Sequence, residues 1–257
     1  MISNSILART VTVATLAVCT SGLLAAPASA QLVGTASRVH RLSDEQLEIL
    51  NHMSIVYLDD GQGGMVKTIQ LTGVNFRIVD GSGSTDGATT GLGNLIVGYN
   101  ELRGAADNRT GSHNIVGGRN NNFSSFGGLV AGEVNTISGS WSSVSGGTNN
   151  TASNTSATVS GGLSNLAGGP NSSISGGAYN YAGASSSSVS GGLGGSANAD
   201  WSSVSGGYLN LATGDSSTVS GGYFNTASGL RATVSGGYGR AASNYDDWRG
   251  GSLFEEY

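Results

Sequence analysis

A six-residue phrase recurs through the second half of the chain at a fixed spacing. It reads SSVSGG at 142–147 and returns as ATVSGG, SSISGG, SSVSGG, SSVSGG, STVSGG and ATVSGG. The apolar residue of each copy is Val144, Val159, Ile174, Val189, Val204, Val219 or Val234, so every interval is 15 residues. With that residue as position zero, Ser fills +1, Gly-Gly fills +2 and +3, and Ala fills +8 from Ala152 to Ala242. Asn150, Asn165, Asn180, Asn210 and Asn225 fill +6. A period this constant makes the repeat the unit of architecture. With 44 glycines and only 11% charged residues in 257, helix propensity is too poor for an α-helical repeat. Disordered chains of low hydrophobicity are strongly charged and lack positional order; this one has order without charge.

The columns have a mechanical meaning. On a strand, −2, zero and +2 share one face and −1 and +1 the other. One face is small-Val-Gly and suits burial; the other is Ser/Thr-Ser and suits water. Gly at +3 permits a turn that a Cβ would block, and +6 to +8 returns Asn and Ala to the inside. Each repeat is then one coil of two short strands, stacked on its neighbours at about 4.8 Å. The expected fold is all-β: a parallel β-solenoid whose coils need one another to bury their inner face.

The register continues upstream in a degraded form. Leu129, Ile115, Leu95 and Ile78 are placed at position zero, each with a glycine at +3: Gly132, Gly118, Gly98 and Gly81. The steps from Ile78 are 17, 20 and 14 residues before the regular 15, giving about 11 coils. In the 20-residue step GAADNRTG reads as a loop bulging from its coil. RLSDEQLEILNHM carries a capping-box pattern, Ser43 to Gln46, and predicts a helix over about 44–53. IVYLDDGQGGMVKTIQL then predicts a hairpin. At the other end NYDDWRGGSLFEEY leaves the repeat, and Trp248, Leu253 and Phe254 are expected to cover the last coil. The expected organisation is a flexible N-terminus at 31–42, a helix-plus-hairpin cap at 43–73, the solenoid at 74–244 and a C-terminal cap at 245–257.

Residues 1–30 follow a different grammar. One positive charge, Arg9, precedes an apolar run that closes on Ala28-Ser29-Ala30, which predicts a secretory signal peptide cleaved after Ala30. Cleavage removes Cys19, the only cysteine, and leaves ten basic residues against sixteen acids, a net charge of −6. Nucleic acid and anionic membranes are therefore not expected partners. No later stretch is long and apolar enough for direct membrane insertion as a helix.

SSVSGGTNNTASN, at 142–154, resembles the head repeats of trimeric autotransporter adhesins, the YadA-like head, whose unit reads roughly S-V-A-I-G-x-x-S-x-A-x-G. Ser143, Val144, Gly147 and Ala152 fall on matching positions, and Asn150 stands where the family has its second Ser. The resemblance covers about 95–245. It implies a left-handed β-roll, a homotrimer, and a role in attachment at a bacterial surface. The period here is one residue longer, and Gly at +2 replaces the family's inward Ile. Neither a heptad stalk nor strands suited to an outer-membrane barrel follow the repeats, so anchored adhesion does not carry over.

No catalytic constellation is apparent. His40, His52 and His113 each stand alone, and neighbouring acids such as Asp59-Asp60 point to opposite faces of a strand. Between 134 and 239 the only charged residues are Asp200, Asp215 and Arg231. An enzyme and a cofactor are not expected. The Asp80–Asp86 turn, DGSGSTDG at 80–87, and DDGQGG at 59–64 offer donors for Ca²⁺, but without EF-hand spacing, and turn chemistry is the favoured reading.

Two surfaces remain as candidates. Tyr208, Tyr223 and Tyr238 occupy +4 in successive coils after Leu163, Ala178 and Leu193, while Leu166, Tyr181 and Leu211 occupy +7. Such a stripe suits sugar rings or sister chains. Packing in a homotrimer is favoured, because one Val and one Ala per coil bury little apolar area. The second surface is the hydroxyl array, from Ser143/Ser145 to Thr233/Ser235, which suggests ice binding. The expected function is a secreted or cell-surface, non-catalytic, adhesin-like protein binding extracellular matrix or glycan; the alternative is a soluble glycan- or ice-binding solenoid.

Overall fold

The computed structural model describes residues 42–250, which fall into two compact units divided after Val74. The expected signal peptide, residues 31–41, Leu253 and Phe254 lie outside the described residues.

The first unit begins with α1, Asp44–Asn51, opened by the predicted capping box. The Ser43 hydroxyl accepts from the Gln46 N–H at 3.2 Å, and the Gln46 side chain accepts from the Ser43 N–H at 2.9 Å. Two antiparallel strands follow, β1 (Met53–Asp59) and β2 (Met65–Leu71). Their turn is held by Asp60, whose carboxylate accepts from the N–H groups of Gln62 and Gly64 at 2.8 Å each. His52 closes the helix and bonds through Nδ1 to the Thr72 carbonyl at 3.0 Å. No residue from 42 to 74 is buried.

The second unit is the parallel β-solenoid. One ladder contains eleven strands, from Leu95–Val97 to Trp248–Arg249, and the other nine, from Asn122–Phe123 to Ala241–Ala242. Every pairing within these ladders is parallel and joins adjacent coils, as Val144 to Val159 and Ala152 to Ala167. Among the described residues there are nine complete coils with a half-coil strand at each end. The seven predicted core residues from Val144 to Val234 are all buried, and the +8 alanines are fully buried beside them. Glycine at +3 is required twice over: φ runs from 77° at Gly147 to 102° at Gly237. A Cβ on Gly147, moreover, would collide with the Gly162 carbonyl of the next coil.

Three sequence expectations are corrected. The upstream register is off by one: Val130 and Val116, not Leu129 and Ile115, occupy position zero, because Val130 pairs with Val144 and Val116 with Val130. Ile96 likewise replaces Leu95. The cause is a one-residue shortening between inward valine and turn glycine: Val130-Ala131-Gly132 does the work of Val144-Ser145-Gly146-Gly147. Aligning on the glycine therefore moved the valine. Ile78 lies in no strand, so the count is nine full coils rather than about 11. At the other end the repeat continues past 244: Trp248 and Arg249 pair with Thr233 and Val234. Trp248 stays exposed, its indole N–H donating to Ser235 Oγ at 2.8 Å, instead of covering an end.

Candidate binding surface

The surface columns are positioned by a ladder of buried asparagines. Asn150 Nδ2 donates to the Gly146 and Gly162 carbonyls at 3.2 and 2.9 Å, and its Oδ1 accepts from the Asn165 N–H at 3.0 Å. Asn165 repeats this with Gly161, Gly177 and Asn180. Each asparagine thus satisfies its own turn and two groups of the following coil, which fixes one coil over the next. Gly195 interrupts the ladder: its N–H still donates to Asn180 Oδ1, but it offers no side-chain amide to the flanking carbonyls.

Register on the inside becomes register on the outside. At +4 the bridges run Leu163 to Ala178 to Leu193 to Tyr208 to Tyr223 to Tyr238. The rings of Tyr208 and Tyr223 are stacked, 4.6 Å apart and 9° from parallel; Tyr223 and Tyr238 follow at 5.5 Å and 13°. Phe224 stands edge-on to Tyr223 at 4.5 Å. Because the stacked rings cover one another's faces, the stripe presents mainly ring edges, with Tyr223 and Tyr238 exposed and Tyr208 half-buried.

Position +5, which the sequence reading passed over, is a left-handed corner. Asn149, Ser164, Tyr179, Leu209 and Phe224 have φ between 50° and 57°, and Gly194 and Gly239 are also positive. The small or turn-favouring residues in that column were the available signal, since Asn and Gly tolerate this region. Tyr179, Leu209 and Phe224 adopt the same left-handed angle at a steric cost and are exposed. A second left-handed column, at −3, holds Trp141 and Trp201 in the same way. Trp141 packs edge-on against Phe126, whereas Trp201 is stacked on no ring among the described residues.

The +7 residues form no continuous stripe. Leu166 pairs with Tyr181, but Ser196 separates Tyr181 from Leu211. The Tyr181 ring lies across Gly183 and Gly168 and touches none of the +4 tyrosines. The structure therefore brings Tyr208, Tyr223 and Tyr238 together and leaves Tyr181, Leu166 and Leu211 apart from them, across the +5 corner. On the hydroxyl face the −1 residues are half-buried and the +1 serines exposed, in register throughout. Ser203 Oγ donates to Thr218 Oγ1 at 3.2 Å, so some of these hydroxyls bond along their column.

The Asp80–Asp86 segment forms an open hollow with His113. Asp80 accepts from the Ser82 hydroxyl and N–H at 2.6 and 2.8 Å and from the Thr90 hydroxyl at 3.1 Å. The Ser82 bonds hold its carboxyl well down, to about 2. His113 Nδ1 meets the Thr85 carbonyl and Nε2 the Asp80 N–H, each at 3.3 Å. Among the described residues no three His, Cys, Asp or Glu side chains gather in a way that could hold a metal. Both carboxylates are already engaged, Asp80 by Ser82 and Thr90 and Asp86 by the Ser84 hydroxyl.

These features define a repeat protein of the β-solenoid class with an aromatic corner. Compared with known proteins, the chain matches no family model and no curated sequence.

Proposed function

We propose that this chain is a non-catalytic, adhesin-like surface protein of bacterial origin, exported by its N-terminal segment, that binds through columns of identical side chains. The observation that carries this reading is the stacked, in-register row of Tyr208, Tyr223 and Tyr238 beside Phe224. Rings held at coil spacing by a hydrogen-bonded interior are a rigid, low-entropy contact surface. Their outward edges suit a partner that meets them side-on, such as a sister chain or an extended glycan lying along the rod. Assembly as a homotrimer uses the +4 stripe in this way and accords with the resemblance to adhesin heads.

The in-register hydroxyl columns favour one second reading, a soluble ice-binding solenoid. A screen of glycans and extracellular-matrix proteins, run beside an ice-recrystallisation assay, separates the two. Saturable binding to a glycan or matrix protein, weakened at least tenfold by Tyr208→Ser with Tyr223→Ser, is expected. Ice activity at micromolar protein with no such ligand would replace the adhesin reading. Mass spectrometry of the exported protein should find Gln31 at its N-terminus; a retained Met1 would remove the export argument.

A further inference from the structure

The hairpin of the first unit has an apolar face that no described residue of that unit covers. Pairing of Ile55 with Ile69 and Met53 with Leu71 puts Met53, Ile55, Tyr57, Met65, Ile69 and Leu71 on one side. Their exposures run from 39% to 66%. Six neighbouring apolar residues this exposed make a contiguous patch of the kind that marks an interaction surface. A two-stranded hairpin alone in water is marginal at best, and this unit buries no residue of its own.

From this face we infer that the hairpin is a self-association element whose occupant is the same face of a second copy of this chain. Charge selects that occupant. Residues 42–74 carry Asp44, Glu45, Glu48, Asp59 and Asp60 against the single Lys67, which repels an anionic bilayer. Lys67 lies on the apolar face two residues from Met65 and forms no ion pair among the described residues, while Asp59 and Asp60 stand at the tip. A copy laid face to face with its tip at the same end sets Lys67 across from the partner's Tyr57 and diagonal to the partner's Asp59, while covering the apolar side chains. The face is its own complement, as a twofold interface requires.

The inference goes beyond the proposed homotrimer, being a separate twofold contact, and rests on none of the tyrosines at +4, so the two are separable. Sedimentation and light scattering of the mature chain are compared for wild type, Ile55→Thr with Ile69→Thr, and Tyr208→Ser with Tyr223→Ser and Tyr238→Ser. Threonine retains strand propensity, and circular dichroism checks the coils. The hairpin variant is expected to dissociate at least tenfold more readily with its coils intact. Leu58→Thr with Val66→Thr, on the opposite face, should leave assembly unchanged. A monomeric wild type overturns the inference, as does a hairpin variant that assembles like wild type. Binding of wild type to neutral phosphatidylcholine vesicles in place of self-association also overturns it. Dissociation of the tyrosine variant alone would place assembly on the +4 stripe and sink the hairpin inference, while the ligand screen tests binding independently.

Discussion

Asn165 is the kind of residue on which this molecule depends. Its side chain satisfies the Gly161 and Gly177 carbonyls and the Asn180 N–H, all inside the coil. Asn165→Ala leaves these groups without their partner, and a loss of about 2–4 kcal/mol in denaturant-derived stability is expected, at about 1–3 kcal/mol per orphaned group with partial relaxation. The converse test is Gly195→Asn. A Cβ there sits 3.2 Å from Asn180 Oδ1 and Val204 Cγ1, so it needs only small adjustment. Completing the ladder should raise the midpoint of urea unfolding, by about 1 kcal/mol in stability. The inner serines at −2 make a sharper contrast. Ser202 Oγ donates to the Ala199 carbonyl at 2.6 Å, while Ser172 and Ser217 are buried with no partner for Oγ among the described residues. Ser172→Ala should therefore be neutral or stabilising, as the native Ala157 and Ala232 suggest, and Ser202→Ala should cost about 1 kcal/mol.

At the scale of elements, the 20-residue coil is tied down where the sequence suggested a bulge. Arg103 donates through Nε to the Asn120 carbonyl and through its terminal nitrogens to Thr136 Oγ1 and the Asn135 carbonyl, at 2.7–2.9 Å. Arg103→Ala should open GAADNRTG to protease while the regular coils stay intact, which limited proteolysis with mass mapping would show. The Asp80 loop responds to acid instead. Its carboxyl is depressed to about 2 from an ordinary 3.8, so the loop's bonds are fully present above 3.8 and weaken as pH falls towards 2. Hydrogen exchange at 80–90 should rise over that window without matching change in the coils. The regular elements were legible because each column states its own chemistry seven times: Val and Ala inside, Gly at the turn. The early register was not, because Val130-Ala131-Gly132 drops one residue and leaves glycine and valine as conflicting guides. The +5 corner was hard to read for a related reason. Its residues vary from Asn149 to Phe224, and what they share is a backbone angle rather than a side chain. The partition of the aromatic columns, Tyr223 stacked and Tyr181 apart, depends on coil cross-section and has no trace in a linear repeat.

For the whole molecule, the strands lie across the stacking direction, so the hydrogen bonds between coils run along it. The Thr158 N–H donates to the Ser172 carbonyl and the Ser173 N–H to the Ser187 carbonyl, coil after coil. A tensile load applied along the stack pulls these bonds lengthwise and meets only the last coil in place, rather than shearing many at once. The solenoid should therefore peel in quanta. Each released coil of 15 residues adds about 50 Å of extended chain at 3.3–3.6 Å per residue. Single-molecule stretching between the two ends of the solenoid should give a train of small, evenly spaced steps. One large rupture would mean that the coils fail as a single body. A tether that yields in equal increments holds a load while lengthening, so an attachment made through it is spared the peak force of a sudden pull.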